Sequence, residues 1–201
     1  MNIIFCNDDD VSELVKVHLS TFQNFFLTFL GPRFLRLLYK NLIIESAGIL
    51  IVAKEQNKII GFVGGVTNQS GFYHNLVKKN LFAFAFSSFG AFIRKPSIAP
   101  RLFRALAKSR DSGESVAEAC LMSIAVLPNF AGKGVGKKLV HAFATELNKR
   151  GCEKFCLTTD ALENERTNLF YQSLGFKLAR TYSTTEKRVM NEYVGVVSEM
   201  I

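Results

Sequence analysis

The chain has no Trp, four Pro, three His and four Cys in 201 residues. Cys6, Cys120, Cys152 and Cys156 form no CxxC pair, and no histidine pattern completes them, so a zinc site is excluded. The expected state is four reduced thiols in a cytoplasmic protein. No apolar run reaches the roughly 18 residues that a membrane span needs. The start carries Asp8-Asp9-Asp10 and no apolar signal core, which argues against secretion. No internal repeat or low-complexity linker divides the chain, and its length suits one domain with a proper core. Two common phosphate loops are also missing. The Walker pattern Gly-x4-Gly-Lys-Ser/Thr fails, because Ala131 stands five residues before Gly136 and Lys138 stands where Ser/Thr is needed. The dinucleotide pattern G-x-G-x-x-G fails as well, because the glycines here run G-x-G-x-G, deep in the second half of the chain.

What the chain has is positive charge and phenylalanine. Its net charge is +8 and its pI about 9.4. That balance suits an anionic partner, whether cofactor phosphates, nucleic acid or an acidic membrane. Of the 19 Phe, many gather at 22–34 and 72–103.

One segment carries the chemistry: Ala125-Val126-Leu127-Pro128-Asn129-Phe130-Ala131-Gly132-Lys133-Gly134-Val135-Gly136-Lys137-Lys138. An apolar strand stops at Pro128, alternating glycines follow, and an amphipathic helix begins. A helix start exposes unpaired N–H groups and the positive end of the helix dipole. Glycines let a bulky anion approach that backbone. Lys133, Lys137 and Lys138 add charge. The expected ligand is a phosphate or pyrophosphate.

A second segment runs from Asn164 to Phe176, Asn-Glu-Arg-Thr-Asn-Leu-Phe-Tyr-Gln-Ser-Leu-Gly-Phe. Asn164 reads as an N-cap. Thr167, Phe170, Tyr171 and Leu174 share one helix face. Gly175 ends the helix in a left-handed conformation and Phe176 starts a strand.

The two segments together resemble the GNAT acyltransferase superfamily. The first matches its V-x-P-x-x-(Arg/Gln)-G-x-G-(Ile/Val)-G loop at Val126, Pro128, Gly132, Gly134, Val135 and Gly136, and departs at Ala131. The second resembles N-x-x-A-x-x-F-Y-x-x-x-G-F, with Thr167 in place of Ala. The resemblance is strong over 118–182, residues 1–66 are compatible with it, and 70–112 lie outside its common pattern. It implies an α/β (α+β) fold: a mixed, mostly antiparallel central sheet with helices on both faces, and a helical insert at about 70–112. The chain divides as 1–69, helices and hairpin; 70–112, insert; and 113–201, acyl-CoA core and last strands.

Periodicity agrees. Residues 2–6 read as a strand, and Asp10 with Glu13 has capping-box spacing ahead of a helix. Pro32 opens a second helix with Phe34, Leu35, Leu38 and Leu42 on its apolar face. Residues 48–54 and 59–66 form a hairpin, where Gly64 and Gly65 admit a bulge or a close ligand. Residues 118–127, 154–160, 175–182 and 188–198 supply further strands. In the insert, apolar blocks at 81–86 and 89–93 lie between basic residues. They suit a flap packed on the sheet or on a second subunit of a homodimer, or a peripheral membrane contact near a lipid-linked substrate. The Phe blocks do not alternate with basic residues, so no nucleic-acid partner is expected.

The resemblance also assigns roles. Acetyl-CoA is the implied cofactor, with Ile124, Ala125 and Val126 along the pantetheine arm and the Val126 N–H polarising the thioester. Ala131, Gly132, Lys133, Gly134, Val135, Gly136 and Lys137 surround the pyrophosphate, and Asn164 reaches the pantetheine amides. Tyr171 matches the general acid, although its spacing alone also suits a core tyrosine. Glu118 is the candidate base, and His18 is a lesser one. Asp160 and Glu163 either sit at the site or cap the next helix. The expected reaction is direct acetyl transfer to an amine, such as an amino sugar or other small, even lipid-linked, acceptor. The alternative is a non-catalytic acyl-CoA-binding regulatory module.

Overall fold

The computed structural model describes residues 1–23, 25–70, 72 and 116–201. The insert expected at 70–112 lies outside the described residues except for Ser70 and Phe72. Phe72 is buried in the core. Strands β1 (Asn2–Phe5), β2 (Gly48–Glu55), β3 (Lys58–Val66), β4 (Ala119–Val126), β5 (Lys154–Asp160), β6 (Lys177–Ser183) and β7 (Val189–Val196) form one sheet. Their order is β1-β2-β3-β4-β5-β7-β6. Every neighbouring pair is antiparallel except β4 with β5.

Side chains alternate across a strand, so one strand feeds two cores. Leu50 and Val52 of β2 join a core with helices α1 (Val11–Thr21), α2 (Phe26–Leu30) and α3 (Pro32–Ile44). Ile49, Ile51 and Ala53 point the other way, into a core with helix α4 (Val135–Lys149) that farther along the sheet takes in Tyr171 of helix α5 (Glu165–Ser173). The sheet therefore carries helices on both faces, as the sequence implies.

Two local readings change. Asp10 occupies the N-cap of α1 without a side-chain cap bond. Its carboxylate is drawn instead to Lys54 Nζ at 2.5 Å, while Glu13 accepts from the Ile59 N–H. A charged partner outcompetes a capping bond for a half-dry carboxylate. Likewise Asn164 stands at the N-cap of α5 without capping it.

The helix ends follow the sequence. Gly175 has φ +91°, and the Phe176 N–H reaches the Tyr171 carbonyl at 3.2 Å. The Gly175 N–H donates to the Gln172 carbonyl at 3.0 Å, completing a Schellman end.

The β3–β4 register slips between Gly64 and Gly65, so Met122 is left over as a bulge. A Cβ on Gly65 would stand 2.3 Å from the Cys120 carbonyl oxygen, which is why the close approach needs glycine. The bulge follows the last rung shared with β5. That pair meets only at Ala119↔Phe155 and Cys120↔Cys156. Beyond it the two parallel strands part.

Candidate active site

The parting strands open a cleft of about 790 Å³. Its walls are Leu121 to Val126 of β4 and Leu157 to Asp160 of β5. The Leu127 N–H donates to the Ile60 carbonyl of β3 at 2.8 Å. By alternation Ala125 also faces β3, and Ile124 and Val126 turn their backbone groups to the open edge.

At one end of the cleft the chain makes a 3-10 turn at Pro128–Phe130 and enters α4. Gly132 and Gly134 both have φ +76°. Among the described residues, no acceptor takes the N–H groups from Gly132 to Lys137, and the first helical bond runs from the Lys138 N–H to the Gly134 carbonyl at 3.1 Å. A Cβ on Gly132 or Gly134 would meet nothing within 4 Å. Bare donors beside open space at a helix start make an anion cradle.

Ala131, Gly132, Gly134, Val135, Gly136 and Lys137 all border the cleft. Lys133 does not. Its ammonium lies over the Phe130 ring, 5.1 Å from the centroid. Glu118 does not either. It is exposed and precedes β4, at the end where β4 and β5 still pair. Roughly 20 Å of extended chain, at ~3.3 Å per residue, separates it from Ile124.

Helix α5 presents Thr167, Phe170, Tyr171 and Leu174 to the cleft. Tyr171 is 6% exposed and packs edge-on to Phe176. Among the described residues its hydroxyl makes no hydrogen bond. Burial first, and the Cys120 thiol second, push its phenol well above the usual tyrosine range. It therefore stays protonated and able to donate. The Asn164 amide donates to Thr159 Oγ1 at 2.8 Å and to the Asp160 carbonyl at 3.1 Å, which leaves its carbonyl oxygen for the cleft.

Sequence reasoning missed the side chains that hold α5 in place. Asn168 donates to the Asp160 and Asn164 carbonyls and accepts from Asn191 and Tyr193, so its amide is fully satisfied. The available signal was a polar residue on the buried face of α5, one turn after Asn164. Asp160 neither caps nor stands open, because Arg188 holds it with bonds of 2.7 to 3.0 Å.

The far end of the cleft is apolar. His18, Phe22, Phe25 and Leu27 line it, with Met122 and Ser123. His18 is 2% exposed, and its Nδ1 lies 2.6 Å from the Tyr39 hydroxyl. Burial pushes its pKa down from 6.5 to about 4. The unfolded chain thus takes up a proton below about 6.5 that the folded one refuses until about 4. Stability is present above pH 6.5 and is lost as pH falls through that window. The expected loss between pH 7.5 and pH 5 is about 2 kcal/mol, read from urea midpoints. His18→Asn should flatten most of that slope, and an unchanged slope would assign the titration to another group.

The model of the acetyltransferase (GNAT) family matches residues 14–176. The chain belongs to the GNAT family. It is an acetyltransferase, and acetyl-CoA is the family's co-substrate. Solved structures share the fold. The ribosomal-protein-S18-alanine N-acetyltransferase of Escherichia coli superposes with a TM-score of 0.59 at 17% identity, covering 98% of this chain and 93% of that one. An aminoglycoside 6'-acetyltransferase type Ii gives 0.63 at 14%, covering 98% and 97%. The ribosomal-protein-alanine N-acetyltransferase of Brucella melitensis gives 0.63 at 14%, covering 98% and 99%. No curated protein matches the sequence. The residues fit acetyl-CoA chemically: the unpaired N–H groups of Gly132 to Lys137 are donors of the kind a diphosphate takes, and the open edge of β4 offers backbone groups of the kind an amide-bearing arm takes. Among the described residues, no helix is long and apolar enough to cross a membrane.

Proposed function

We propose that this acetyltransferase moves an acetyl group directly to the amine of a small acceptor while both are bound in the cleft. One observation carries the reading: the unpaired N–H groups of Gly132 to Lys137 continue into the open edge of β4. Bound acetyl-CoA supplies an acetyl thioester, so that the amine nitrogen bonds to the carbonyl carbon, the carbon–sulfur bond breaks, and the surplus amine proton ends on sulfur. The chain does the rest by placement. Gly132, Gly134 and Gly136 offer backbone donors to the diphosphate, and Lys137 adds a cation. Ala131 adds no side-chain anchor there. Val126 turns its N–H to the thioester oxygen, and Ile124 turns its backbone to the arm. Asn164 accepts from an arm amide. Tyr171 gives its phenolic proton to the departing sulfur and regains one from the amine through solvent. Glu118 has no part in this scheme, because it does not reach the cleft.

Calorimetric titration with acetyl-CoA, followed by thiol release in the presence of amines, tests the reading. The expected result is one binding site per chain and amine-dependent release of the thiol. Binding without release on any amine would reduce the protein to an acyl-CoA binder.

A further inference from the structure

The apolar end of the cleft contains a polar atom that no described residue bonds. Among the described residues, His18 Nε2 is buried and has no hydrogen-bond partner. Burying such a group is unfavourable unless something satisfies it. The two ring nitrogens of an imidazole point in nearly opposite directions. Nδ1 is held by Tyr39, which does not line the cleft, whereas His18 itself does.

The surroundings restrict the occupant. Phe22, Phe25, Leu27 and Met122 are the neighbours of His18 on that wall, and Phe25 is 46% exposed. Among the described residues, no carboxylate lines this end. The one carboxylate described on the cleft, Asp160, is already held by Arg188. A polycation would find no free counter-charge among the described residues, and desolvation would oppose its entry. A single amine on an apolar body loses little. The same dry wall disfavours its ammonium form and so releases the nucleophilic lone pair.

We infer that the acceptor is a small apolar monoamine, aryl- or alkyl-bearing, seated on Phe22, Phe25 and Leu27 with its nitrogen donating a hydrogen bond to His18 Nε2. This rests on the acetyl-transfer reading above and names its acceptor. An amine that attacks through its lone pair can only donate to Nε2. That fixes the imidazole: His18 Nδ1–H donates to Tyr39 Oη. The Phe22 ring stands 4.7 Å from the imidazole, and an amine that bonds the buried Nε2 requires that ring to move. His18 is a positioning residue for the amine, since so weakly basic an imidazole is a poor store for its proton.

The test uses the full chain with acetyl-CoA and five acceptors: phenethylamine, hexylamine, spermidine, kanamycin and a peptide with a free N-terminal Ala. Both monoamines are expected to show kcat/KM at least tenfold above the other three. His18→Asn keeps a partner for Tyr39 and loses the Nε2 position. It is expected to raise KM for the amine at least tenfold, with acetyl-CoA affinity by calorimetry changed less than twofold. His18→Gln, whose amide reaches the Nε2 position, recovers part of that loss. A preference for the polycations or the peptide overturns the inference. So does an unchanged amine KM in His18→Asn, or a protein that binds acetyl-CoA yet acetylates neither monoamine. Failure to bind acetyl-CoA at all would instead remove the acetyl-transfer reading.

Discussion

Gly134→Val will weaken acetyl-CoA binding at least a hundredfold in a protein that still folds. Two causes act at this position, and both come from the backbone. Gly134 sits at φ +76°, in the left-handed region, immediately before the first residue of α4. A β-branched side chain there costs about 1–2 kcal/mol in backbone strain. The local escape is a rotation that turns the N–H groups of Gly134 and Val135 away from the cleft. The second cause is space. A Cβ at Gly134 meets no protein atom within 4 Å, so Val overlaps nothing in the protein. That is why folding survives. The same emptiness borders the cleft, so the added methyls stand where a diphosphate must approach. Gly134→Ala separates the causes, because it carries the strain with less bulk, and its loss should be intermediate. Calorimetry gives the affinity and circular dichroism the folded state. Normal affinity in folded Gly134→Val would dismiss the cradle.

The bare helix start was legible because it is local. Valine, proline and alternating glycines within one short segment dictate a strand end, a turn and a bare helix start, whatever the rest of the chain does. Gly64 and Gly65 were legible for a similar reason, since paired glycines in a strand leave room for the bulge that the register shows. Features that join distant segments were not legible. Asp10 has capping-box spacing, yet Lys54, 44 residues away, takes its carboxylate. Asp160 reads as a cap or a ligand until Arg188, 28 residues on, closes over it. His18 reads as a lesser candidate base or a packed helix residue until the Tyr39 hydroxyl, 21 residues away, fixes its ring. Glu118 shows the limit in another form. Its place before a strand was readable, but which end of that strand parts from its neighbour depends on the β4–β5 register. The departure at Ala131 was visible as a residue type. The structure adds that the backbone donors beside it remain unpaired.

Tyr171→Phe will lower turnover about a hundredfold with acetyl-CoA affinity nearly unchanged. Positioned proton donors contribute roughly that factor or more. The ring itself is structural: it packs against Phe170, Phe176 and Tyr193, and Phe keeps those contacts. The hydroxyl, in contrast, has no hydrogen-bond partner among the described residues, so removing it strands no neighbour. Stability should therefore move by well under 1 kcal/mol. Burial keeps the phenol protonated, and the same dry surroundings raise the proton affinity of a thiolate released beside it, so the proton passes there rather than to water. Its loss thus falls on the step that breaks the carbon–sulfur bond. The discriminating measurement is the leaving group. Acetyl thioesters of more acidic thiols need less help on departure, so the gap between Tyr171→Phe and wild type should narrow with them. A gap that stays constant across leaving groups would move Tyr171 from proton donor to packing residue.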